Sequence, residues 1–230
     1  MTLATFQTFQ ATVIKKENVT HDVIVLSCSV PTDFSFKAGQ FITLMITKDG
    51  ETKPRSYSIL NAPSETGTLS LCIKIVPDGW ASDIFNMTKK DDTFLVKGPF
   101  GHFVFDESGN DHWFICGGTG VVPFYSMLQE YLIKRDDQFT LVFSVKTKRD
   151  LFFHNEFEAL ASTYENFTYI PTLTREEWDG ATGRVQEHLP EDLSGKTFYV
   201  CGLKELVLET KELLISKGVS KDMIKVERYS

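Results

Sequence analysis

Residues 116–123 read Cys-Gly-Gly-Thr-Gly-Val-Val-Pro, and this stretch decides how the second half of the chain is organised. It follows an apolar run from His112 to Cys116 that is typical of a short buried strand, and it precedes a helical pattern from about Val122 to Lys134. A glycine-rich turn in that position lets the backbone approach an anion, which the free amides of the helix then stabilise. The stretch therefore predicts a phosphate-binding turn. The spacing is not Gly-x-Gly-x-x-Gly, so a standard dehydrogenase site is not implied. A tight turn without a ligand is the alternative.

Strands and helices alternate on the C-terminal side of this turn. Apolar runs predict strands over 139–145, 167–171, 197–201 and 224–228, and helical patterns cover 155–164 and 205–217. The last of these helices ends at Gly218, a common stop signal. Such alternation is typical of a parallel sheet with right-handed crossovers, and it predicts an α/β domain over residues 109–230.

The chain before the turn has a different pattern of apolar and polar residues. Short strands broken by turn residues are predicted over 9–14, 23–28, 41–46, 69–75 and 93–97, with one helix over 81–87. Several short strands at this spacing predict an antiparallel β-barrel or sandwich over residues 1–108. The boundary falls in the polar stretch from Asp106 to Asp111.

Composition and charge exclude several functional classes. The chain has 230 residues, of which 42% are apolar, so it can bury a sizeable core. Its formal charge of −7 argues against a general nucleic-acid binder, which needs a basic surface. The four cysteines and five histidines are scattered without metal-ligand spacing, so no metal site is expected. The N-terminus does not resemble a signal peptide and no apolar run could span a membrane, so a soluble cytoplasmic protein is expected.

A second informative stretch is Arg55-Ser56-Tyr57-Ser58-Ile59, which lies on a predicted strand or at its end. Alternation along a strand places Arg55 and Tyr57 on one face and the two serines on the other. An arginine can bind a phosphate bidentately while a neighbouring aromatic ring packs on a sugar or a flat heterocycle. The alternative is an amphipathic strand that carries a surface arginine.

Five motifs occur in a recognisable order along the chain: Arg55-Ser56-Tyr57-Ser58, Gly79-Trp80-Ala81-Ser82, Gly98-Pro99-Phe100-Gly101, Gly117-Gly118-Thr119-Gly120 and Cys201-Gly202. Together they resemble the ferredoxin–NADP reductase superfamily of flavoproteins, over nearly the whole chain. The resemblance implies a monomer with a flavin-binding Greek-key β-barrel over 1–108 and a Rossmann-like, NAD(P)-binding α/β domain over 109–230.

The resemblance implies an FAD site formed by Arg55, Ser56, Tyr57, Ser58, Ile73, Lys74, Ile75, Gly79, Trp80, Ala81 and Ser82. Arg55 would bind the flavin pyrophosphate, Tyr57 would pack along the flavin, and Ser58 would hydrogen-bond the reactive ring nitrogen. The segment 73–75 would line the ribityl chain, although a solvated strand face is the alternative for Lys74. Residues 79–82 would place a helix N-terminus at the flavin phosphates.

The resemblance also implies a pyridine-nucleotide site formed by Gly118, Thr119, Gly120, Thr174, Arg175, Arg184, Cys201 and Gly202. The glycine-rich turn would hold the pyrophosphate, and Cys201 and Gly202 would lie beside the nicotinamide. For Cys201 the alternative is a buried core cysteine. Leu173-Thr174-Arg175-Glu176 and Gly183-Arg184 look like the Ser-Arg-Glu and Gly-Arg segments of bacterial NADP-dependent members, so NADP is favoured over NAD. A surface arginine beside two glutamates is the alternative for Arg175.

The C-terminal sequence Val226-Glu227-Arg228-Tyr229-Ser230 resembles the Glu-x-Tyr ending of plant-type members. In those members the tyrosine stacks on the flavin and the glutamate assists proton transfer. Ser58, Cys201 and Glu227 are therefore the expected catalytic residues, and Tyr229 an expected flavin contact. A last strand with an exposed end is the alternative, because Ser230 follows the aromatic residue.

The resemblance implies that a hydride passes from NADPH to FAD and that electrons then pass singly to ferredoxin or flavodoxin. Those carriers are typically acidic, so a local basic patch around Lys89, Lys90 and Lys97 is expected in this acidic chain. Two alternatives remain open at this point. One is a reductase of free flavin, and the other is a non-catalytic subunit that senses redox state through bound flavin.

Overall fold

The structure is a computed structural model that describes residues 6–229, and its strands form two six-stranded sheets. The first is antiparallel and is formed by β1 (Gln7–Asn18), β2 (Val23–Ser29), β3 (Phe41–Lys48), β4 (Glu51–Ser58), β5 (Thr68–Lys74) and β6 (Thr93–Phe100). Its strand order is β4-β3-β6-β1-β2-β5. An isolated antiparallel bridge between Ile59 and Leu71 joins the two outer strands, so the sheet curls back on itself. The predicted antiparallel barrel is confirmed.

The interior of this curled sheet is apolar because alternate residues of its strands face inward. Ile42, Leu44 and Ile46 of β3 are almost completely buried, and so are Leu69 and Leu71 of β5. A short helix, α1 (Ser82–Met87), packs on the same core through Phe85, which is fully buried.

Two lysines fix α1 to the barrel strands. The ammonium of Lys16 on β1 donates to the carbonyls of Phe85 and Asn86, both at 2.7 Å, where the C-terminal carbonyls of the helix have no intrahelical partner. The ammonium of Lys48, the last residue of β3, lies 2.6 Å from the carboxylate of Asp83 in the first helical turn. Both ends of this six-residue helix are therefore tied to the sheet.

The second sheet is parallel throughout, with the strand order β10-β9-β8-β7-β11-β12. Its strands are β7 (Asp111–Gly117), β8 (Gln138–Val145), β9 (Phe167–Leu173), β10 (Ala181–Thr182), β11 (Thr197–Leu203) and β12 (Ile224–Tyr229). The helices α2 (Val122–Tyr131), α3 (His154–Thr163) and α4 (Lys204–Ser216) connect them. The predicted parallel α/β sheet is confirmed.

Some element boundaries differ from the sequence prediction. The helix predicted over 122–134 ends at Tyr131, and Leu132–Lys134 continue it as a 3-10 turn. The strand β10 was not predicted, because two residues are too few to show any periodicity. Pro54 is tolerated within β4 because β4 is an outer strand of its sheet.

Contacts divide the chain into two compact units. The first comprises the described part of Met1–Phe105 together with Tyr125–Glu130, and the second comprises Asp106–Phe124 and the described part of Tyr131–Ser230. Each unit has its own apolar core. The middle of α2 groups with the first unit, where the hydroxyl of Ser126 donates to the carbonyl of Asn61 at 2.8 Å. No helix among residues 6–229 is long and apolar enough to cross a membrane.

Candidate functional site

The first candidate site lies on β4, which carries the Arg-Ser-Tyr-Ser motif. Arg55 pairs with Leu44 of β3, and Tyr57 pairs with Ile42. Residues directly opposite each other in an antiparallel pair share a face of the sheet, and both β3 residues are buried. Arg55 and Tyr57 therefore extend from the core-facing side of the barrel, as the alternation predicts, whereas Ser56 is exposed on the other face.

The Tyr57 ring is fixed from behind by the barrel core. It meets the ring of Phe85 edge-on, with centroids 5.6 Å apart. Burial raises the pKa of the Tyr57 phenol to about 12, while the charge of Arg55 acts in the opposite direction. The phenol is therefore neutral at physiological pH and can donate a hydrogen bond beside the Arg55 guanidinium.

The indole of Trp80 lies beside two cations of β4. The Arg55 guanidinium carbon is 5.3 Å from the ring centroid, and the Lys53 ammonium is 4.8 Å from it. Both distances are in the range of cation–π interactions. Sequence reasoning missed Lys53, although its position two residues before Arg55 on the same strand face was the signal that could have found it.

The other predicted flavin contacts of this unit lie at the ends of β4 and β5. Ser58 is buried at the end of β4, and Ile73 is a core residue of β5 with 1% of its surface exposed. Lys74 extends outward and forms an ion pair with Asp22 at 2.6 Å. Burial alone would raise the pKa of Asp22, but the hydrogen bond and charge of Lys74 lower it on balance. Ile75 packs partly buried against the core, so segment 73–75 can offer a ligand chiefly its backbone.

The segment Gly79–Ser82 forms a tight turn before α1. The hydroxyl of Ser82 accepts a hydrogen bond from the amide of Val76 at 3.0 Å. A Cβ at Gly79 would lie 2.5 Å from the same hydroxyl oxygen, so a larger residue would displace the turn. Ala81 is buried and Trp80 is half-buried. The turn thus sets where Trp80 lies relative to β4.

The second candidate site lies at the carboxyl edge of the parallel sheet. The glycine-rich stretch leaves β7 at Gly117 and forms a 3-10 turn over Gly118–Val121 before α2 begins. Gly118 has a φ of +54° and open space where a Cβ would be. A Cβ at Gly120 would lie 2.3 Å from the carbonyl oxygen of Cys201. The turn can pack against Cys201 only because residue 120 is glycine, and this contact brings two of the predicted motifs together.

Three of the predicted site residues, Cys201, Glu227 and Tyr229, meet beside this turn. Cys201 of β11 pairs in register with Glu227 of β12, and its thiol accepts a side-chain hydrogen bond from Tyr229. Burial raises the pKa of the Cys201 thiol well above its usual range, and the nearby Glu227 carboxylate raises it further. The thiol is neutral and fully buried. Its pairing with Cys116 of β7 makes it a core residue of the sheet as well.

The residues predicted to distinguish NADP from NAD lie at the same edge. The backbone amide of Arg175 donates to the carbonyl of Lys146 at 3.0 Å, just beyond the ends of β8 and β9. The Arg175 guanidinium is exposed and forms no ion pair within residues 6–229. Arg184 is exposed too, but its guanidinium is 2.7 Å from the Glu209 carboxylate of α4. The Thr174 hydroxyl donates to the Val145 carbonyl at 3.3 Å.

Trp178, which sequence reasoning did not single out, anchors the loop between Arg175 and Arg184. Its indole nitrogen donates to the carbonyl of Ala181 at 2.6 Å, and its ring covers Gly180. The ammonium of Lys148 lies 5.8 Å from the centroid of the same ring. A lone tryptophan in a polar loop was the available signal, because such a residue usually packs on something.

No group of three or more potential metal ligands occurs among residues 6–229.

Comparison with known proteins agrees with the two nucleotide-binding motifs. Residues 10–105 match the family described as the oxidoreductase FAD-binding domain, and residues 114–212 match the oxidoreductase NAD-binding domain. Ferredoxin–NADP reductase B of Sorangium cellulosum is 32% identical over 210 residues, which cover 85% of this chain and 86% of that protein. The chain belongs to the ferredoxin–NADP reductase superfamily.

Other members of the superfamily are components of larger electron-transfer systems. The electron transfer component XylA of the Pseudomonas putida xylene/toluene monooxygenase is 28% identical over 95% of this chain and 65% of its own length. The glycine betaine monooxygenase reductase subunit of Pseudomonas aeruginosa is 32% identical over 82% of this chain and 54% of its own length. The present chain thus spans about half to two thirds of several curated relatives.

A solved structure of the superfamily shows the same arrangement of strands and helices. The ferredoxin NADP+ reductase of Neisseria gonorrhoeae with bound FAD and NADP aligns with a TM-score of 0.86 and 26% identity, over 96% of this chain and 98% of that one. The present protein is accordingly an oxidoreductase of a family that binds FAD and pyridine nucleotide, and its relatives are electron-transfer reductases.

The residues of this chain suit both FAD and a pyridine nucleotide chemically. On the barrel, a guanidinium, an ammonium and a neutral phenol extend together from one strand face, and these donors match phosphates and a flat ring system. At the carboxyl edge of the parallel sheet, Gly118 leaves open space over a turn that opens α2, the usual place for a nucleotide phosphate in such sheets.

Proposed function

We propose that this chain transfers reducing equivalents from NADPH to bound FAD and then to a one-electron carrier such as ferredoxin or flavodoxin. When bound, the flavin would supply the redox chemistry, since it accepts a hydride and releases electrons singly. The protein would supply binding, orientation and electrostatics.

The observation that carries the proposal is the packing of Gly120 on the Cys201 carbonyl, with Glu227 in register beside Cys201. It joins a phosphate-binding turn to a buried thiol and a carboxylate within one unit. In the proposed site the turn holds the nucleotide pyrophosphate. The segment Cys201–Gly202 would lie beside the nicotinamide, where the buried Cys201 thiol adds no charge, and Glu227 would hold a proton near the reaction centre.

Residues of the first unit would hold FAD. Arg55 would bind its pyrophosphate, Tyr57 would pack along the flavin ring, and Ser58 would hydrogen-bond its reactive nitrogen. The outer strand β5 would offer its backbone edge at residues 73–75 to the ribityl chain. The turn Gly79–Ser82 would keep Trp80 beside Arg55.

NADPH is proposed over NADH because the Arg175 guanidinium is exposed at the carboxyl edge of the parallel sheet and has no ion-pair partner among residues 6–229, with Thr174 next to it. A 2′-phosphate is a strong partner for such a group, whereas NAD offers only hydroxyls there. Arg184 would contribute less in the free protein, because Glu209 already pairs with it.

The proposed electron acceptor is an acidic one-electron carrier. Relatives named as monooxygenase and hydroxylase reductase components support an electron-transfer role. Lys89 and Lys90 lie in the turn before β6, and Lys97 is the fifth residue of that strand. An acidic carrier would dock against such lysines, and the interaction would weaken as salt is added.

The test is a visible spectrum of the purified protein, followed by stopped-flow mixing with NADPH and with NADH. Flavin absorbance, faster reduction by NADPH and onward reduction of ferredoxin or flavodoxin are expected. The absence of both flavin absorbance and NADPH-dependent dye reduction would refute the proposal. Tight flavin binding with negligible turnover would indicate a redox-sensing subunit instead. Weak flavin binding with rapid reduction of added riboflavin would indicate a free-flavin reductase.

A further inference from the structure

Lys53 lies on the core-facing side of β4, where charged side chains are uncommon unless they have a partner. It pairs in register with Ile46, which is almost completely buried. Arg55 and Tyr57 follow at alternate positions on the same face. Two cations and a phenol thus form one row along the strand, about 7 Å between successive members.

Trp80 brings the two cations of this row together. The Lys53 ammonium and the Arg55 guanidinium carbon lie 4.8 and 5.3 Å from the centroid of its ring. The negative face of an indole attracts a cation, so one ring holds both groups in place. Trp80 is itself held against the barrel core and by the tight turn before α1.

This arrangement brings like charges together, and no carboxylate among residues 6–229 forms an ion pair with both of them. The Arg55 guanidinium donates to the carbonyl of Pro54, a neutral group, at 2.8 Å. Lys53 pairs with Glu51 at 2.9 Å, but both side chains are more than one third exposed and such pairs exchange easily with solvent ions. An anionic ligand with two phosphates would satisfy both cations at once.

We propose that Lys53 is a second phosphate-binding cation of the flavin site and that Trp80 is the positioning residue for Lys53 and Arg55. The inference rests on the proposed binding of FAD, and it adds to that site a cation that the Arg-Ser-Tyr-Ser motif does not contain. The ligand group that Lys53 meets is the diphosphate of FAD. Riboflavin has no phosphate, so it does not use Lys53.

The experiment measures equilibrium binding of FAD and of riboflavin to the cofactor-free full chain by flavin fluorescence. Lys53→Met is expected to weaken FAD binding about 10- to 100-fold, the usual effect of losing a charge-assisted hydrogen bond, and to leave riboflavin binding within about twofold. The dependence of the FAD dissociation constant on salt should also become shallower.

Lys15→Met is the matched control. Lys15 lies on β1 of the same unit and pairs with Glu17 at 2.8 Å, much as Lys53 pairs with Glu51 two residues away. The control removes the same charge and the same kind of ion pair. It should change neither FAD nor riboflavin binding.

Two variants test whether Trp80 positions Lys53 and Arg55. Trp80→Leu should weaken FAD binding far more than riboflavin binding, and Trp80→Phe, which keeps an aromatic face, should restore most of the loss. A role in packing alone would weaken both ligands together in each variant. If Trp80→Leu does not fold, Lys53→Met and Trp80→Phe still decide the question.

The outcomes are distinguishable. Wild-type protein that binds neither FAD nor riboflavin would overturn the proposed function, and this inference with it. Wild-type protein that binds FAD, with Lys53→Met either unchanged or equally weakened toward both ligands, would overturn only the assignment of Lys53 and Trp80. Selective loss of FAD binding together with an unaffected Lys15→Met would support it.

Discussion

Arg175 and Arg184 have the same chemistry but different surroundings. Both are exposed at the carboxyl edge of the parallel sheet. Within residues 6–229 only Arg184 of the two has a carboxylate partner, Glu209, which a phosphate would have to displace. Arg175 is therefore the residue at which selectivity for a 2′-phosphate is best tested.

We expect Arg175→Ala to raise the KM for NADPH about 10- to 100-fold and to leave the KM for NADH within a few-fold, because the lost contact involves a group that NADH lacks. Steady-state kinetics with both nucleotides would measure this. Arg149→Ala, which removes a nearby exposed arginine, should alter neither value. Equal increases for both nucleotides would contradict a role for Arg175 at the 2′-phosphate.

His112 is a fully buried titratable side chain on β7. Burial lowers its pKa, although the Asp137 carboxylate, 3.3 Å from Nε2, acts in the opposite direction. Its ring also stacks on Phe139 with centroids 5.4 Å apart. The folded protein therefore favours the neutral imidazole.

This pKa shift has a consequence for stability. In the unfolded chain the His112 imidazole becomes protonated near pH 6.5, whereas in the folded chain it stays neutral to lower pH. The contribution of His112 to the free energy of unfolding is therefore fully present above about pH 6.5 and is lost progressively as the pH falls below it. We expect His112→Gln to flatten the loss of unfolding free energy between pH 6.5 and 5 in urea titrations. His102→Gln, an exposed control, should keep the wild-type pH profile. An unchanged profile in His112→Gln would contradict the assignment.

At the scale of single elements, α1 illustrates how a short helix is held by groups distant in sequence. Six residues are too few for a stable isolated helix. Its order comes from the buried ring of Phe85 and from the bonds that Lys16 and Lys48 make to its two ends. The helix positions the turn that carries Trp80, so its order matters for the proposed flavin site.

Lys16→Met should lower the free energy of unfolding by about 1–3 kcal/mol, because it leaves carbonyls at the C-terminal end of α1 without their charged donor. Amide hydrogen exchange over residues 82–87 should accelerate more than elsewhere in the barrel. Lys15→Met, which removes the neighbouring exposed lysine, should be nearly neutral. Uniform acceleration across the unit would argue against a local role for Lys16.

At the scale of the whole molecule, two units with separate apolar cores carry the two proposed nucleotide sites. Each ligand should therefore stabilise its own unit first. A ligand at 100 times its dissociation constant stabilises the state that binds it by about 2.7 kcal/mol.

We expect FAD to slow amide exchange chiefly in residues 53–58 and 71–82, and NADP+ to slow it chiefly in residues 117–121 and 173–184. Hydrogen exchange followed by mass spectrometry, with each ligand alone, would measure both effects. Adenosine, which lacks phosphate and flavin, serves as the control and should protect neither set strongly. Protection by FAD confined to the second unit would contradict the assignment of the barrel as the flavin site.

The pattern of apolar and polar residues along the sequence predicted most of the strands and helices of this protein. Alternation in residues 41–46 and 69–75 predicted barrel strands, and apolar runs around the Gly117–Gly120 turn predicted the parallel sheet, because side-chain periodicity reports which face of an element is buried. The same alternation placed Arg55 and Tyr57 on one face of β4. The order of short motifs identified the family.

Only the tertiary structure decided which distant residues meet. It brings together Gly120 and Cys201, Arg184 and Glu209, and Lys16 and α1, and it places Lys53 and Arg55 against the ring of Trp80. Each of these contacts joins separate elements. Periodicity carries no information about such contacts, because they depend on strand register and on how helices pack. The sequence determined the elements and the chemical groups that they carry, and three-dimensional packing decided which of those groups share a site.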